Sequence, residues 1–516
     1  MDFDFDAYVL NQVAKQAAVP AYLGQRVLDF APFADELAKF PAEKRAVLDH
    51  WLPQADLRQI RAAFATGELD AYTLTLFCLY RIQRYAHLNA VIELNPDALK
   101  IARSLDLEHL AGSSRGALHG IPVLLKDNVA TGDEMHNTAG AKALEAARAD
   151  RDAFVAARLR AAGAVLIGKA NLSEWANFMT DNSNNGFSVL GGQTVNPHGA
   201  YDVGGSSSGS AVAVAAGLVP LSIGSETSGS ITYPAGQNSI VGIKPSLGVV
   251  SRDHVIPITD AMDTLGPMAR TVTDAALLLN AIAAYDPNEI FAKDAASLHG
   301  FDFTSVLDKG FFNGKRVGVC YPEKHIRADD AQVFARFEEV VRELGAEVVR
   351  VPYPEEPVKV IDVLHYGMKI GLNDYLKQTN APFQTLQDII LFNAVDLPNR
   401  APYGQSLLEK TQEMSIDVPG YLELARANRE KTRAVIDGLL AEHNVALLVS
   451  ISSYLSSIYA AATCPAVSVP GGTRFEKIAG EPVGITFIGG YLSEPTLIAA
   501  AYAFEQAAAL RVIPNI

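Results

Sequence analysis

Apolar positions along this chain change period repeatedly, and the changes divide it into elements. At Val333, Phe334, Phe337, Val340, Val341 and Leu344 they recur every three or four residues, which predicts a helix with one buried face. Gly345 ends that helix, and residues 347–351 (EVVRV) read as a strand. The same order appears earlier: an Ala/Arg helix over 153–162, then Gly163, then a strand at 164–167. Short apolar runs at 89–94, 121–125, 317–320, 445–451, 465–469 and 482–488 add further strands, and 496–509 reads as a closing amphipathic helix. Strands alternating with helices in this way predict an α/β fold built on a parallel or mixed sheet.

Two regions depart from that alternation. Residues 1–55 mix apolar and acidic positions, with helical spacing at Phe33, Leu37 and Phe40, and read as a helical arm on a main domain spanning 56–516. Two helices follow over 56–85, the second with Leu74, Phe77, Cys78 and Ile82 near one face. Residues 352–440 are richer in Pro and long polar side chains, with helices expected at 384–392 and 421–440. They read as a helical insertion over one face of the sheet, where a substrate lid could sit.

Composition narrows the function. The chain has 516 residues, 49% hydrophobic and 20% charged, with mean hydropathy +0.11, as a folded enzyme-sized protein would. Its formal charge of −15 argues against nucleic acid or an anionic membrane as partner. No apolar run approaches the roughly 18 residues of a membrane span, and MDFDFDAYVL lacks a signal-peptide pattern, so a cytoplasmic location is expected. Cys78, Cys320 and Cys464 form no CxxC pair and read as buried free thiols, not as a metal or redox site.

Against this background the stretch 204–234 stands out. It holds eight serines and six glycines, and its only charged residue is Glu226. An Ala/Val helix at 211–216, stopped by Gly217 and Pro220, and a strand at 221–223 separate two serine-rich turns. A phosphate loop would need a Lys after its last Gly, and none is present. A Ser-His-Asp hydrolase would need its serine on a strand-to-helix elbow, yet the residues before Gly204 are polar, and His119, His136, His198 and His254 all read as polar loop residues. A third possibility uses lysine. Lys126 ends an apolar strand, where burial would lower its pKa towards that of a usable base; the alternative is a surface lysine paired with Asp127.

Ordered blocks add a further indication. GGSSSGS (204–210), GSETSGS (224–230) and Pro234 resemble the hallmark of the amidase signature family. HGIPVLLKDN (119–128), GKANLSEWANF (168–178), GGQTVNP (191–197), VGIKPSLGVVSR (241–252), DTLGPMARTV (263–272) and the tail 482–507 continue the likeness in order. The resemblance implies a three-layer α/β/α fold with a mixed, largely parallel central sheet. It also implies hydrolysis of a linear carboxamide, without cofactor or metal, and a small-molecule amide as the partner. By position, Ser230 matches the nucleophile, Ser206 the bridging serine that follows a cis peptide bond, and Lys126 the base. Backbone N–H groups of Thr227, Ser228, Gly229 and Ser230 match the oxyanion hole.

Chemically, Lys126 would take a proton from Ser206 as Ser206 takes one from Ser230, and the reverse passage would protonate the leaving amine. Asp127 would orient Lys126 or its strand end, and Glu226 would position the oxyanion turn. Trp175 and Phe178 could line a substrate channel or belong to the core. Two positions depart from the family pattern: Ser228, where Gly or Ala is usual, and Thr232, where many members carry Arg. Losing that cation disfavours small carboxylate-bearing amides. Gln237-Asn238 and the VSR block are closer to the peptide-amidase branch. The remaining alternatives are a glutaminase-type component of an amidotransferase complex, a non-catalytic binding protein on the same scaffold, and ester cleavage beside amide cleavage.

Overall fold

Eleven of the thirteen strands in the described residues line up in one sheet, and the order of those strands decides where the chemistry sits. The computed structural model describes residues 25–321, 327, 329–355, 357–379, 381–415, 417–475 and 478–516. In chain order the strands are β1 (Val91–Leu94), β2 (Pro122–Lys126), β3 (Val165–Ala170), β4 (Phe187–Ser188), β5 (Gly192–Gln193), β6 (Leu221–Glu226) and β7 (Val241–Lys244). They continue as β8 (Thr264–Ala269), β9 (Arg316–Tyr321), β10 (Glu347–Pro352), β11 (Leu448–Ile451), β12 (Ala466–Thr473) and β13 (Pro482–Ile488).

The large sheet runs β1-β3-β2-β6-β8-β7-β12-β13-β11-β9-β10, while β4 and β5 form a separate small hairpin. It is the mixed sheet that the alternation of elements predicts. Parallel runs β3-β2-β6 and β11-β9-β10 lie to either side of an antiparallel middle. Because β2 and β6 are parallel neighbours, with Leu125 opposite Ile223, their C-terminal ends open on the same edge. Loops at such an edge are where α/β proteins assemble sites.

Burial explains the strand sequences. Every residue of β2, β3, β6, β7 and β8 is buried, so none of these strands has the alternating buried and exposed positions of a half-covered sheet. The helix Ser208–Ala215 is wholly buried too and packs against β2, β3, β6 and β8. Its Ala, Gly and Ser side chains are small enough to let it lie close to the sheet. The three cysteines are free and buried, with thiols that burial pushes up to about 12.

Residues 1–24 of the expected arm lie outside the described residues. Over 25–55 the chain forms helices Ala34–Lys39 and Ala42–Trp51, and Phe33, Phe40, Leu48 and Leu52 join the same core as the helices Leu57–Thr66 and Ala71–Arg84. Between 352 and 440 the chain forms more helices than the two predicted from the sequence. The longest are Val360–Gln378 and Val418–Glu442, with Leu386–Ala394, Leu397–Arg400 and Ser406–Glu413 between them. Met368, Leu372, Leu376, Leu386 and Ile389 form a second core with Leu172, Trp175, Phe178, Ile256 and Ile258. Trp175 and Phe178 therefore belong to the packing that seats the helical cover, not to an open channel.

Candidate active site

The strand ends of β2 and β6 bring together residues that lie far apart in sequence. Lys126 is the last residue of β2 and has no exposed surface, which removes the surface-lysine alternative. Its Nζ donates to Ser206 Oγ at 2.8 Å, to Ser207 Oγ at 3.0 Å and to the Ser225 carbonyl at 3.1 Å. Burial lowers its pKa to about 7, against the opposing pull of the Asp263 and Glu226 carboxylates. Near neutral pH a large share of this amine is unprotonated and can accept the Ser206 proton.

Ser206 follows a cis peptide bond from Gly205, as the motif implies, and is completely buried. Its carbonyl accepts from the Ser173 N–H at 3.1 Å. The preceding turn is held by Asp202, whose carboxylate accepts from the Gly204 N–H (2.8 Å), the Asn185 amide and the Tyr233 hydroxyl (3.0 Å). Ser207 has a role that the motif does not reveal. It touches Lys126, donates to the Ser225 carbonyl at 2.9 Å and accepts from the Ser225 N–H at 3.1 Å, tying the two serine-rich turns together.

Ser230 lies just past β6, at the edge of burial with 9% of its surface exposed. The backbone joins it to the other turn, since the Ser207 N–H donates to the Ser230 carbonyl at 3.2 Å. Among the described residues the Ser230 hydroxyl makes no hydrogen bond, so the expected contact with Ser206 Oγ is not closed in this state. Catalytic hydrogen bonds commonly tighten only when substrate is seated.

The oxyanion turn differs from expectation at one position. The Gly229 N–H already donates to Glu226 Oε1 at 2.8 Å, so it is not free for a substrate oxygen. The N–H groups of Thr227, Ser228 and Ser230 make no hydrogen bond among the described residues. Gly229 instead shapes the turn. Its φ is +82°, and a Cβ there would lie 3.1 Å from Ser453 Cβ.

Glu226 organises this turn more fully than the sequence suggests. Its carboxylate also accepts from the N–H groups of Ile231 (2.8 Å) and Thr232 (3.0 Å) and from the Tyr459 hydroxyl (2.9 Å). The strand β6 runs on to Glu226, beyond the expected end at Ile223, because Gly224, Ser225 and Glu226 stay paired with Gly266, Leu265 and Thr264 of β8. Thr232 is buried with its hydroxyl 2.7 Å from that of Tyr459.

Asp127 is directed away from the lysine. Its carboxylate receives the Thr138 hydroxyl and the Gly140 N–H (3.3 Å), and burial raises its pKa to about 6. It anchors the loop after β2 and does not orient Lys126. Gln237 and Asn238 also serve the scaffold, donating to the Asp202 and Val203 carbonyls at 3.1 and 2.8 Å.

A cleft of about 600 Å³ reaches Ser228 from outside. Its walls are Pro357, Val358, Lys359, Val360, Ile361 and Leu364 from the start of the helical cover, together with Ser457. No group of three or more His, Cys, Asp or Glu side chains among the described residues could hold a metal ion, and no described helix is long and apolar enough to cross a membrane.

A family model described as Amidase matches residues 73–450. A probable amidase of Arabidopsis thaliana is 38% identical over 480 residues, covering 90% of this chain and 92% of its own. The native peptide amidase of Stenotrophomonas maltophilia, a solved structure, matches with a TM-score of 0.85 at 40% identity, over 90% of this chain and 98% of that one. One component of the glutamyl-tRNA(Gln) amidotransferase of Cereibacter sphaeroides is 31% identical over 503 residues, which is 88% of this chain and 96% of its own.

Proposed function

The chain belongs to the amidase family, hydrolases of carbon–nitrogen bonds, and on that premise we propose that it cleaves a linear carboxamide through an acyl-enzyme on Ser230. The products are a carboxylic acid and ammonia or an amine. Ser230 Oγ attacks the amide carbon while its proton passes to Ser206 and the Ser206 proton passes to neutral Lys126. The tetrahedral oxyanion is received by the N–H groups of Thr227, Ser228 and Ser230, with Gly229 and Glu226 holding the turn. Losing one such donor costs about 10²–10³ in rate in comparable sites. Reversal of the proton path protonates the amine as it leaves. Water then attacks the acyl-enzyme by the same route.

The observation that carries this reading is Lys126: buried, lowered to about 7 and 2.8 Å from Ser206. A lysine kept without solvent and without a directly bonded carboxylate suits proton transfer better than structure alone would require. The apolar cleft beside Ser228 and the likeness to a peptide amidase support amides with a sizeable apolar substituent, such as peptide C-terminal amides. The second reading, a glutamine-cleaving component of an amidotransferase, draws on the 31% identity to such a protein.

A panel of peptide, fatty, aryl and amino-acid amides, assayed by mass spectrometry with wild type and Ser230→Ala, tests the proposal. Wild type turns over at least one amide, and Ser230→Ala loses at least about 10⁴ of that rate. Retained turnover in the variant sinks the nucleophile assignment. Glutamine as the only substrate, together with a co-purifying partner, favours the second reading.

A further inference from the structure

We propose that Asp263 is a positioning residue that braces the oxyanion turn against the loop on which the helical cover sits. The inference rests on the acyl-enzyme reading above.

The placement begins in the sheet. β6 and β8 are antiparallel and their last pair is Glu226 with Thr264, so the next position outward sets Thr227 opposite Asp263. There the Thr227 hydroxyl donates to Asp263 Oδ1 at 2.6 Å. The other carboxylate oxygen, Oδ2, accepts from the N–H groups of Ile258 (2.8 Å) and Thr259 (2.9 Å), and the Asp263 N–H donates to the Thr259 carbonyl at 3.0 Å. One carboxylate thus fixes a turn on its inner side and a loop on its outer side.

Both long helices of the cover grip the outside of that loop. Tyr421, on Val418–Glu442, has its hydroxyl 2.7 Å from Thr259 Oγ1 and also donates to Asp260. On Val360–Gln378, Gly367 approaches so closely that a Cβ there would lie 2.4 Å from the Thr259 side chain. Asp263 also acts on the base. Its charge is the largest influence opposing the burial that lowers Lys126, with Glu226 next, and Arg252 in turn faces Asp263. Asp263 makes no hydrogen bond to Lys126, Ser206 or Ser230, so its action on the reaction runs through Thr227 and through its field.

Four variants on a substrate that wild type hydrolyses provide the test: Asp263→Asn, Thr227→Val, Thr227→Ser and the double Asp263→Asn/Thr227→Val. Asp263→Asn lowers kcat by about 10- to 100-fold, the scale of a misplaced catalytic group, and changes KM by less than about threefold. Removing its negative charge also moves the acidic limb of kcat/KM to lower pH, because that charge favours the protonated lysine. Thr227→Val gives a similar loss, and Thr227→Ser, which keeps the hydroxyl, regains most of it. The double variant loses no more than the worse single one. An unchanged kcat and pH limb in Asp263→Asn overturns the inference, as do equal losses in Thr227→Ser and Thr227→Val or losses that multiply in the double. If Asp263→Asn does not fold, the two Thr227 variants decide. Ser230→Ala, run alongside, separates the two levels: activity there fails the acyl-enzyme reading, whereas its absence with a normal Asp263→Asn fails only this inference.

Discussion

Lys126 shows how one residue can be read in two ways until its surroundings are known. At the end of the run IPVLL it could be a surface cation or a base, and the sequence alone carries both readings. Complete burial, three hydrogen bonds and a pKa near 7 favour the base. Only the neutral amine can accept a proton, so kcat/KM rises with pH through an apparent pKa near 7 and levels off above it. A pH–rate profile on any hydrolysed amide checks this. A limb displaced to about 10, where an exposed lysine titrates, contradicts the desolvated-base account. The motif also places Ser206 beside that lysine, and a hydrogen bond of 2.8 Å joins the two side chains. It does not reveal that Gly229 gives its N–H to Glu226, because that bond depends on how the turn closes and not on residue type.

Among the elements, strand β2 is legible because total burial writes it as an apolar run, and β6 is legible only over 221–223, before Gly224, Ser225 and Glu226 break the pattern. β7 and β8 are not. Their Gly, Pro and Lys residues, as in TLGPMA, interrupt the usual strand signal, and pairing in the sheet overrides it. The helix Val360–Gln378 escapes the sequence pattern for a related reason. Gly367 and Gly371 weaken its helical signal, yet they let it approach Thr259 and Pro257 closely. Gly367→Ala therefore gains helix propensity but forces a Cβ to 2.4 Å from Thr259, and overpacking of this kind costs about 1–3 kcal/mol. Thermal unfolding and KM together read the outcome. A lowered Tm with altered KM is expected, and a raised Tm with unchanged KM contradicts the close seat of the cover. The pairing of Thr227 with Asp263 is equally hidden, since only the β6–β8 register brings them together.

Across the whole molecule, the site is a meeting of segments that no single stretch contains. β2 delivers Lys126, the turn before the buried helix delivers Ser206, and the turn after β6 delivers Ser230. The sheet order makes those three ends adjacent, and the helical cover supplies an apolar cleft that reaches Ser228. Intact-protein mass spectrometry with a fluorophosphonate probe, followed by peptide mapping, tests this assembly most directly. The account predicts one adduct per chain on the peptide carrying Ser230, absent in Ser230→Ala and strongly slowed in Lys126→Ala. A wild-type chain that takes no label, or a label that persists in Ser230→Ala, contradicts it.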